Sequence, residues 1–440
     1  MTRNPIRLIP VLFLAAITIG TMLLWLPLAS EEGSAPPFMT ALFTATSAVA
    51  VTGLIVVDTP TYWSPFGQSV ILVLFQIGGF GIMTAATLLG LVAGRTFRLR
   101  DRLATQIERS RLDLGDARSV LKLVFAVTLV VEGVVFAILA ARLRFGYGYD
   151  WAEAVWHGLF QAVSAFNNAG FSTYSDSMMG FQTDPVILWP IMIAVIITAL
   201  GFPVMQELRY RPFDFRHWTL HSKITVTATA VLLVLGFGFI LLAEWNNPDT
   251  LGPLGAGSKM LNAMFHSVMP RTAGFNSLDV GSFRDETLLA NYVLMFIGGG
   301  SAGTAGGIKI TTFVLLLAVV ASEVRGERDA GMFGRRVGRD IERQALSVTV
   351  LAASLITLGS TIILATTDLP PRDVFFETIS AFSTVGLSTG VTADLGTTGE
   401  LVVIVLMFVG RVGTITVATA LALGAARKPF RYPEENPIVG

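Results

Sequence analysis

Four short stretches decide how this chain folds: Ala50-Val51-Thr52-Gly53-Leu54, Asn167-Asn168-Ala169-Gly170-Phe171, Arg271-Thr272-Ala273-Gly274-Phe275 and Ser383-Thr384-Val385-Gly386-Leu387. Their glycines stand 117, 104 and 112 positions apart. A serine precedes each glycine, at Ser47, Ser164, Ser267 and Ser380, by six, six, seven and six positions. Self-similarity of this kind along a chain marks one unit used four times.

Just before each stretch lies a semi-apolar segment of 11 to 16 residues: Phe38 to Ala50, Trp151 to Phe166, Ser258 to Met269 and Arg372 to Phe382. Such segments are too short to cross a bilayer and read as re-entrant or interfacial helices. Helix-start residues support this, with Pro36-Pro37, Asp150, Ser258 and Pro370-Pro371 at or just before the four starts. Each short segment is flanked by longer apolar runs: Leu8 to Ala29, Pro65 to Gly94, Val120 to Ala141, Pro185 to Met205, Ile224 to Ala243, Leu288 to Val320, Ala345 to Thr366 and Leu401 to Ala426. These eight are about the length that a hydrocarbon core of roughly 30 Å requires. Composition agrees, at 52% hydrophobic and 14% charged, against the ~25% charged of soluble domains. The expected fold is an all-α membrane protein with eight transmembrane helices, arranged as four helix, pore loop, helix repeats around a pseudo-four-fold central pore.

The expected repeats are residues 1–98, 117–208, 222–322 and 343–427, joined by cytoplasmic linkers 99–116, 209–221 and 323–342. Arg3 and Arg7 before the first apolar run resemble a secretory leader. That run is longer than a leader core of ~7–15 residues, and no A-x-A site follows it, so it is read as a retained spanning helix. The termini and inter-repeat connections hold 23 Lys and Arg, and the segments with the short helices hold six: Arg142, Arg144, Lys259, Arg271, Arg284 and Arg372. By the positive-inside rule both termini are cytoplasmic and the short helices enter from outside.

Formal net charge is zero and gives no sign of nucleic acid as a partner. Cysteine is absent, which excludes disulfides, thiolate ligands and cysteine nucleophiles. The four histidines, His157, His217, His221 and His266, have no metal-ligand spacing with carboxylates. No catalytic constellation is visible, so no enzymatic activity is expected.

Irregular backbone at membrane depth survives only where it is buried in protein or lines a watery cavity. Four such loops imply a shared axis, and rings of backbone carbonyls there can replace a cation's hydration shell. Carbonyls converge on one axis only if some residue takes dihedrals forbidden to side chains, the expected part of Gly53, Gly170, Gly274 and Gly386. The short helices would aim their partly negative C-terminal ends at the axis, favouring cations. Taken singly, each glycine reads equally well as a turn or packing residue. Four in register do not.

A glycine-rich stretch, Gly298-Gly299-Gly300-Ser301-Ala302-Gly303-Thr304-Ala305-Gly306-Gly307-Ile308-Lys309, interrupts the sixth apolar run. Six glycines in ten residues break a helix near mid-membrane; the competing reading is a tightly packed glycine-rich helix. The P-loop pattern fails, because Ile308 separates Gly307 from Lys309 and Ile310 follows, so no nucleotide site is expected. Arg411 lies in an otherwise uncharged final helix, where an arginine faces the interior or a cavity. Two roles stand side by side for it, an electrostatic barrier to a passing cation and a structural pair with a glutamate or helix carbonyls. Lys309 has a weaker claim, since a lysine can snorkel. Glu132 is either an ion-coupling carboxylate or a structural one.

On Val51-Thr52-Gly53-Leu54, Asn167-Asn168-Ala169-Gly170-Phe171, Thr272-Ala273-Gly274-Phe275, Thr384-Val385-Gly386-Leu387 and the stretch from Gly298 to Thr312, the chain resembles the Trk/Ktr/HKT superfamily of K⁺ transporters. Within it, the eight-helix KtrB type is nearer than the ten-helix TrkH type, and the resemblance covers essentially the whole chain. It implies a filter at Val51, Thr52, Gly53, Asn168, Ala169, Gly170, Thr272, Ala273, Gly274, Thr384, Val385 and Gly386, with K⁺ held by backbone carbonyls. It implies a mobile gating loop at 298–309, with Arg411 just below the filter. In plant relatives that prefer Na⁺ the first filter glycine is serine, so Gly53 favours K⁺. The implied partners are a second copy in a homodimer, a cytosolic RCK-type nucleotide-binding ring of the KtrA kind, and the lipid bilayer. K⁺ is the transported ion, with Na⁺ as a further candidate, and no organic cofactor is expected. The plasma membrane is the implied location. Alternatives are a Na⁺-selective or poorly selective pathway of the same fold, and a secondary transporter of another substrate. An inverted-repeat carrier fits less well, because two spanning helices per repeat keep all four repeats in one orientation.

Overall fold

The structure, a computed structural model, describes residues 5–81, 117–212, 214–327 and 329–413. Arg3, the connection 99–116 and the tail beyond residue 413 lie outside the described residues, as do the expected helix ends at 82–94 and 414–426.

Helices and the loops between them make up the described chain, with one hairpin of two short strands, β1 (Gly331–Met332) and β2 (Arg335–Arg336). Helices α1 (Pro5–Leu24), α2 (Phe38–Val49) and α3 (Pro65–Gly81) come first. Then follow α4 (Ala117–Gly146), α5 (Trp151–Asn167), α6 (Pro185–Leu200) and α7 (Phe202–Tyr210). The third group is α8 (Leu220–Glu244), α9 (Ala256–Val268), α10 (Asp285–Phe296) and α11 (Ile310–Val324). The last is α12 (Arg339–Thr366), α13 (Pro371–Ser383) and α14 (Gly396–Phe408), which runs into a π-turn at Val409–Gly413.

Local chemistry explains several starts. Pro185 opens α6, where its missing N–H costs nothing. The Asp184 carboxylate accepts the Val186 N–H at 2.9 Å and the Nε–H of Arg142 on α4 at 2.7 Å, tying the two helices together. Thr219 caps α8 by accepting the Ser222 N–H at 3.2 Å. Two expected caps differ: Ser258 lies inside α9, whose cap is Gly255, and Asp150 precedes α5 without a side-chain capping bond.

The long helices are apolar on faces that no other element covers. On α8 the side chains of Val231, Val234, Leu235, Phe239 and Leu242 are exposed. Such a surface is unstable in water and matches hydrocarbon. Four described helices are long and apolar enough to cross a bilayer, and a fifth is gained if α6 and α7 count as one bent span. The short helices behave oppositely. Phe43, Phe160, Phe265 and Phe376, one on each of α2, α5, α9 and α13, are fully buried.

Two expected runs are not single straight helices. The run from Leu288 to Val320 ends at Phe296 and restarts at Ile310, with the glycine-rich stretch between. The run from Pro185 to Met205, expected as one helix, bends by 99° between α6 and α7. Gly201 sits at φ 87°, ψ 151°, a backbone region open essentially to glycine alone. Pro203 has no N–H for the Ala199 carbonyl, so the helical ladder cannot continue.

Candidate ion pathway

Each short helix ends in a loop with the same dihedral signature. Positive φ occurs at Val51 (55°) and Gly53 (91°), Asn168 (59°) and Gly170 (73°), Thr272 (87°) and Gly274 (72°), and Thr384 (49°) and Gly386 (94°). The residue between each pair is not in that region. In ordinary extended chain successive carbonyls alternate sides; inverting every second residue turns them to one side. For valine and threonine these dihedrals are strained by about 1–3 kcal/mol each, and such strain persists only where surroundings over-determine it.

The four loops touch in a closed ring. A Cβ added at Gly53 would strike the Ala169 carbonyl oxygen, one at Gly274 the Val385 oxygen, and one at Gly386 the Thr52 oxygen. At Gly170 it would lie 3.1 Å from the Ala273 oxygen. Each glycine is therefore needed twice, for its φ and for the neighbouring loop's carbonyl. The loops that sequence separates by more than 100 positions are adjacent in order, the fourth closing on the first.

The serines noted in the sequence tie loop to helix, and their spacing matters. Ser47 Oγ accepts the Gly53 N–H and Ser380 Oγ the Gly386 N–H, both at 3.1 Å. Ser164 Oγ donates to the Phe171 carbonyl at 2.7 Å. Ser267, spaced by seven, is turned away and donates to the Leu233 carbonyl on α8 at 2.7 Å.

On one side the ring opens into a cavity of about 420 Å³ lined by the four glycines and by Asp58 and Asp279. Among the described residues no lysine, arginine or histidine lines it. Asp58 accepts from Thr61 Oγ1 and Ser175 Oγ at 2.6 and 2.7 Å, and Asp279 from Ser282 Oγ at 2.6 Å. Behind the cavity, buried Glu377 on α13 accepts from Ser388 Oγ and, at 3.0 Å, from Thr392 Oγ1. The cavity is thus acidic and hydroxyl-rich, which concentrates cations.

The glycine-rich stretch lies against the ring without lining this cavity. A Cβ at Gly306 would strike Thr384 Oγ1, so this loop abuts the fourth ring loop directly. Gly299 and Gly300 pack against the Ala199 and Leu200 carbonyls, and Gly303 against that of Thr198. Its ends are held together by Gly298 N–H to Ile308 O at 2.8 Å and Ile310 N–H to Gly299 O at 3.0 Å.

Arg411 is 3% exposed, in the π-turn. Its Nη1 donates to the Thr304 carbonyl, with Thr384 Oγ1 3.5 Å away, while its Nε and Nη2 have no hydrogen-bond partner among the described residues. No ion pair with a carboxylate holds it among the described residues. Of its two candidate structural partners, the contact is with a loop carbonyl. Lys309 does not reach outward: its Nζ donates to the Ala305 carbonyl at 2.5 Å. The two cations therefore face one loop, and neither lines the acidic cavity.

Other candidates lie elsewhere. Glu132 bonds Gln76 on α3, which also accepts from Asn167 at the end of α5, and the buried Glu132 Oε1 has no partner among the described residues. His266 meets Asn291 at 3.2 Å and His157 meets Thr173 Oγ1 at 2.7 Å. Among the described residues no three His, Cys, Asp or Glu gather as a metal site would need. Sequence reading missed two features. The break at Gly201 was signalled by Gly201-Phe202-Pro203. Arg271, counted in the sequence with the segments that hold the short helices, stands at the head of the third ring loop, is 3% exposed and donates to Thr229 Oγ1 on α8 at 3.2 Å.

A helical protein with lipid-facing apolar surfaces and a ring of converging carbonyls beside an acidic cavity belongs to the class of membrane ion pathways. Known proteins sharpen this. The profile of the family TrkH, cation transport protein, matches residues 2–427. The Ktr system potassium uptake protein B of Bacillus subtilis is 38% identical over 99% of this chain and 97% of its own length. The potassium/sodium uptake protein NtpJ of Enterococcus hirae is 36% identical over 99% of this chain and 97% of its own. The crystal structure of the potassium transporter TrkH from Vibrio parahaemolyticus shares the fold, with TM-score 0.74 and 19% identity over 94% of this chain and 84% of that one. The chain belongs to the TrkH/Ktr family of membrane cation transporters, which is not an enzyme family.

Proposed function

We propose that this protein takes up K⁺ across the plasma membrane through a filter formed by the carbonyls of Thr52, Ala169, Ala273 and Val385 and their neighbours in the four loops. The observation carrying this reading is the closed ring in which each glycine makes room for the next loop's carbonyl. A dehydrated cation on the axis would exchange water oxygens for these carbonyls. The names of the relatives from Bacillus subtilis and Vibrio support K⁺ as the ion.

The arrangement is read as four repeats, 1–98, 117–208, 222–322 and 343–427, with eight spans about a pseudo-four-fold axis and both termini cytoplasmic. The acidic cavity is the outer mouth. The loop at 298–309 is the gate, held shut by Arg411 through Thr304, with Lys309 adding to the barrier. Relatives named as protein B of a Ktr system support a further subunit; the proposal takes that subunit as a cytosolic nucleotide-binding ring and adds a second copy of this chain as a homodimer partner in the membrane. The name of the Enterococcus hirae relative also favours a Na⁺-linked reading, in which Na⁺ is co-transported or activates.

Rb⁺ or K⁺ uptake into liposomes tests the proposal, with Gly53→Asp and Gly386→Asp as disabled controls. Uptake indifferent to both substitutions would overturn the filter assignment.

A further inference from the structure

The break at Gly201 and the break at 298–309 are complementary. Ending α6 at Leu200 releases carbonyls that a continuing helix would occupy, and a released carbonyl at membrane depth needs a donor. The Gly300 N–H takes the Ala199 carbonyl at 2.7 Å, and the Phe202 N–H takes the Ala302 carbonyl at 3.2 Å. The Ser301 carbonyl fills the space that a Cβ on Gly201 would occupy. Two broken helices from different repeats thus complete one another's backbone bonding.

Thr198 stands where this joint meets the ring. It is fully buried, three residues before Gly201. Its carbonyl packs on Gly303 of the glycine-rich loop. Its Oγ1 lies 2.9 Å from the Asn168 side-chain amide, and that amide also reaches Thr272 Oγ1 at 3.5 Å. Asn168 itself sits in the left-handed conformation at the head of the second ring loop. Whichever way round the amide lies, its two ends bridge Thr198 to the third ring loop.

We propose that Thr198 is a positioning residue for ion selection: it holds the second and third filter loops in register only while the glycine-rich loop is seated against the α6–α7 joint. Gate and filter are then one mechanical unit, joined through the second repeat, and discrimination between K⁺ and Na⁺ depends on the seating of the gate loop. This rests on the filter reading above.

The test compares Thr198→Val, which keeps the shape and removes the hydroxyl, with Thr198→Ser, which keeps the hydroxyl. Both full-length proteins are reconstituted in liposomes and the K⁺ to Na⁺ flux ratio is measured beside the wild type. Losing one buried hydrogen bond predicts a fall in the ratio on the order of five-fold for Thr198→Val. Thr198→Ser should restore most of it. A merely structural role would lower the yield or thermal stability of folded protein without moving the ratio. An unchanged ratio in Thr198→Val, or an equal fall in Thr198→Ser, overturns the proposal while the filter reading stands. A wild type that carries no cation overturns both.

Discussion

Alanine substitution at the four ring glycines should produce graded damage, and the grading follows from two quantities. The first is φ. Gly170 and Gly274, at 73° and 72°, lie near the left-handed well an alanine can enter, whereas Gly53 and Gly386, at 91° and 94°, lie farther from it. The second is room. The Cβ would lie 3.1 Å from a carbonyl oxygen at Gly170 and would strike one at the other three positions. Gly386→Ala and Gly53→Ala should therefore be worst, Gly274→Ala intermediate and Gly170→Ala mildest. Strained backbone costs about 1–3 kcal/mol per residue. If that is drawn from the carbonyl geometry distinguishing K⁺ from Na⁺, discrimination falls roughly 5- to 150-fold at the worst positions, at 1.4 kcal/mol per ten-fold. The assay is the K⁺ to Na⁺ flux ratio in liposomes, with correctly assembled protein checked by size-exclusion chromatography. Gly170→Ala as damaging as Gly386→Ala would refute the reasoning, because neither strain nor collision would then be setting the ratio.

Arg411→Gln should raise K⁺ flux about ten-fold, since the guanidinium bonds the glycine-rich loop at Thr304 and, on the proposed reading, charges the ion path, a cost near 1.4 kcal/mol; flux that stays flat in the same liposomes would leave the arginine a structural role. Asp58→Asn with Asp279→Asn should reduce flux at low ionic strength, and the defect should vanish near 1 M salt, where the Debye length is about 3 Å. A salt-independent defect would argue against a steering role for the acidic cavity. Ser47→Ala strands the buried Gly53 N–H, at about 1–3 kcal/mol, and should change the flux ratio. Ser267→Ala, whose hydroxyl bonds α8 instead, should lower the melting temperature in detergent and leave the ratio alone.

What sequence could and could not disclose divides along physical lines. Glycine at a position demanding positive φ leaves a mark in the sequence, so the ring loops were legible down to single residues. So was the interruption of the sixth apolar run, because six glycines in ten residues cannot propagate a helix. The bend at Gly201 was harder. Pro185 to Met205 is apolar throughout, and hydropathy does not register a direction change of 99°. Glycine followed two residues later by proline was the available sign. The burial of Arg271 against α8 was illegible because counting charges along a chain does not register which of them pack inside the protein. The partner of Arg411 was illegible for the same reason that any long-range pair is: Thr304 lies 107 positions away and offers a carbonyl, which every residue has.

Read as the four proposed repeats, the chain is unequal for a physical reason. Four identical subunits around an axis would set four arginines beneath the ring, and four buried guanidiniums sharing one cavity would repel one another as strongly as they repel a cation. They would also offer four glycine-rich loops to a space that one loop already fills, since Gly306 touches the fourth ring loop while Gly303 touches Thr198 of the second repeat. A single chain escapes this by letting each repeat drift. The third contributes the crossing loop, the second breaks its own helix to receive it, and the fourth supplies one charge to hold it. The ring cannot drift in the same way, because each of its glycines is confined by the neighbouring loop's carbonyl. On the proposed reading, a four-fold constraint on the ring and a one-fold constraint on the loop packed against it require positions that mutate separately, which one chain carrying four repeats provides.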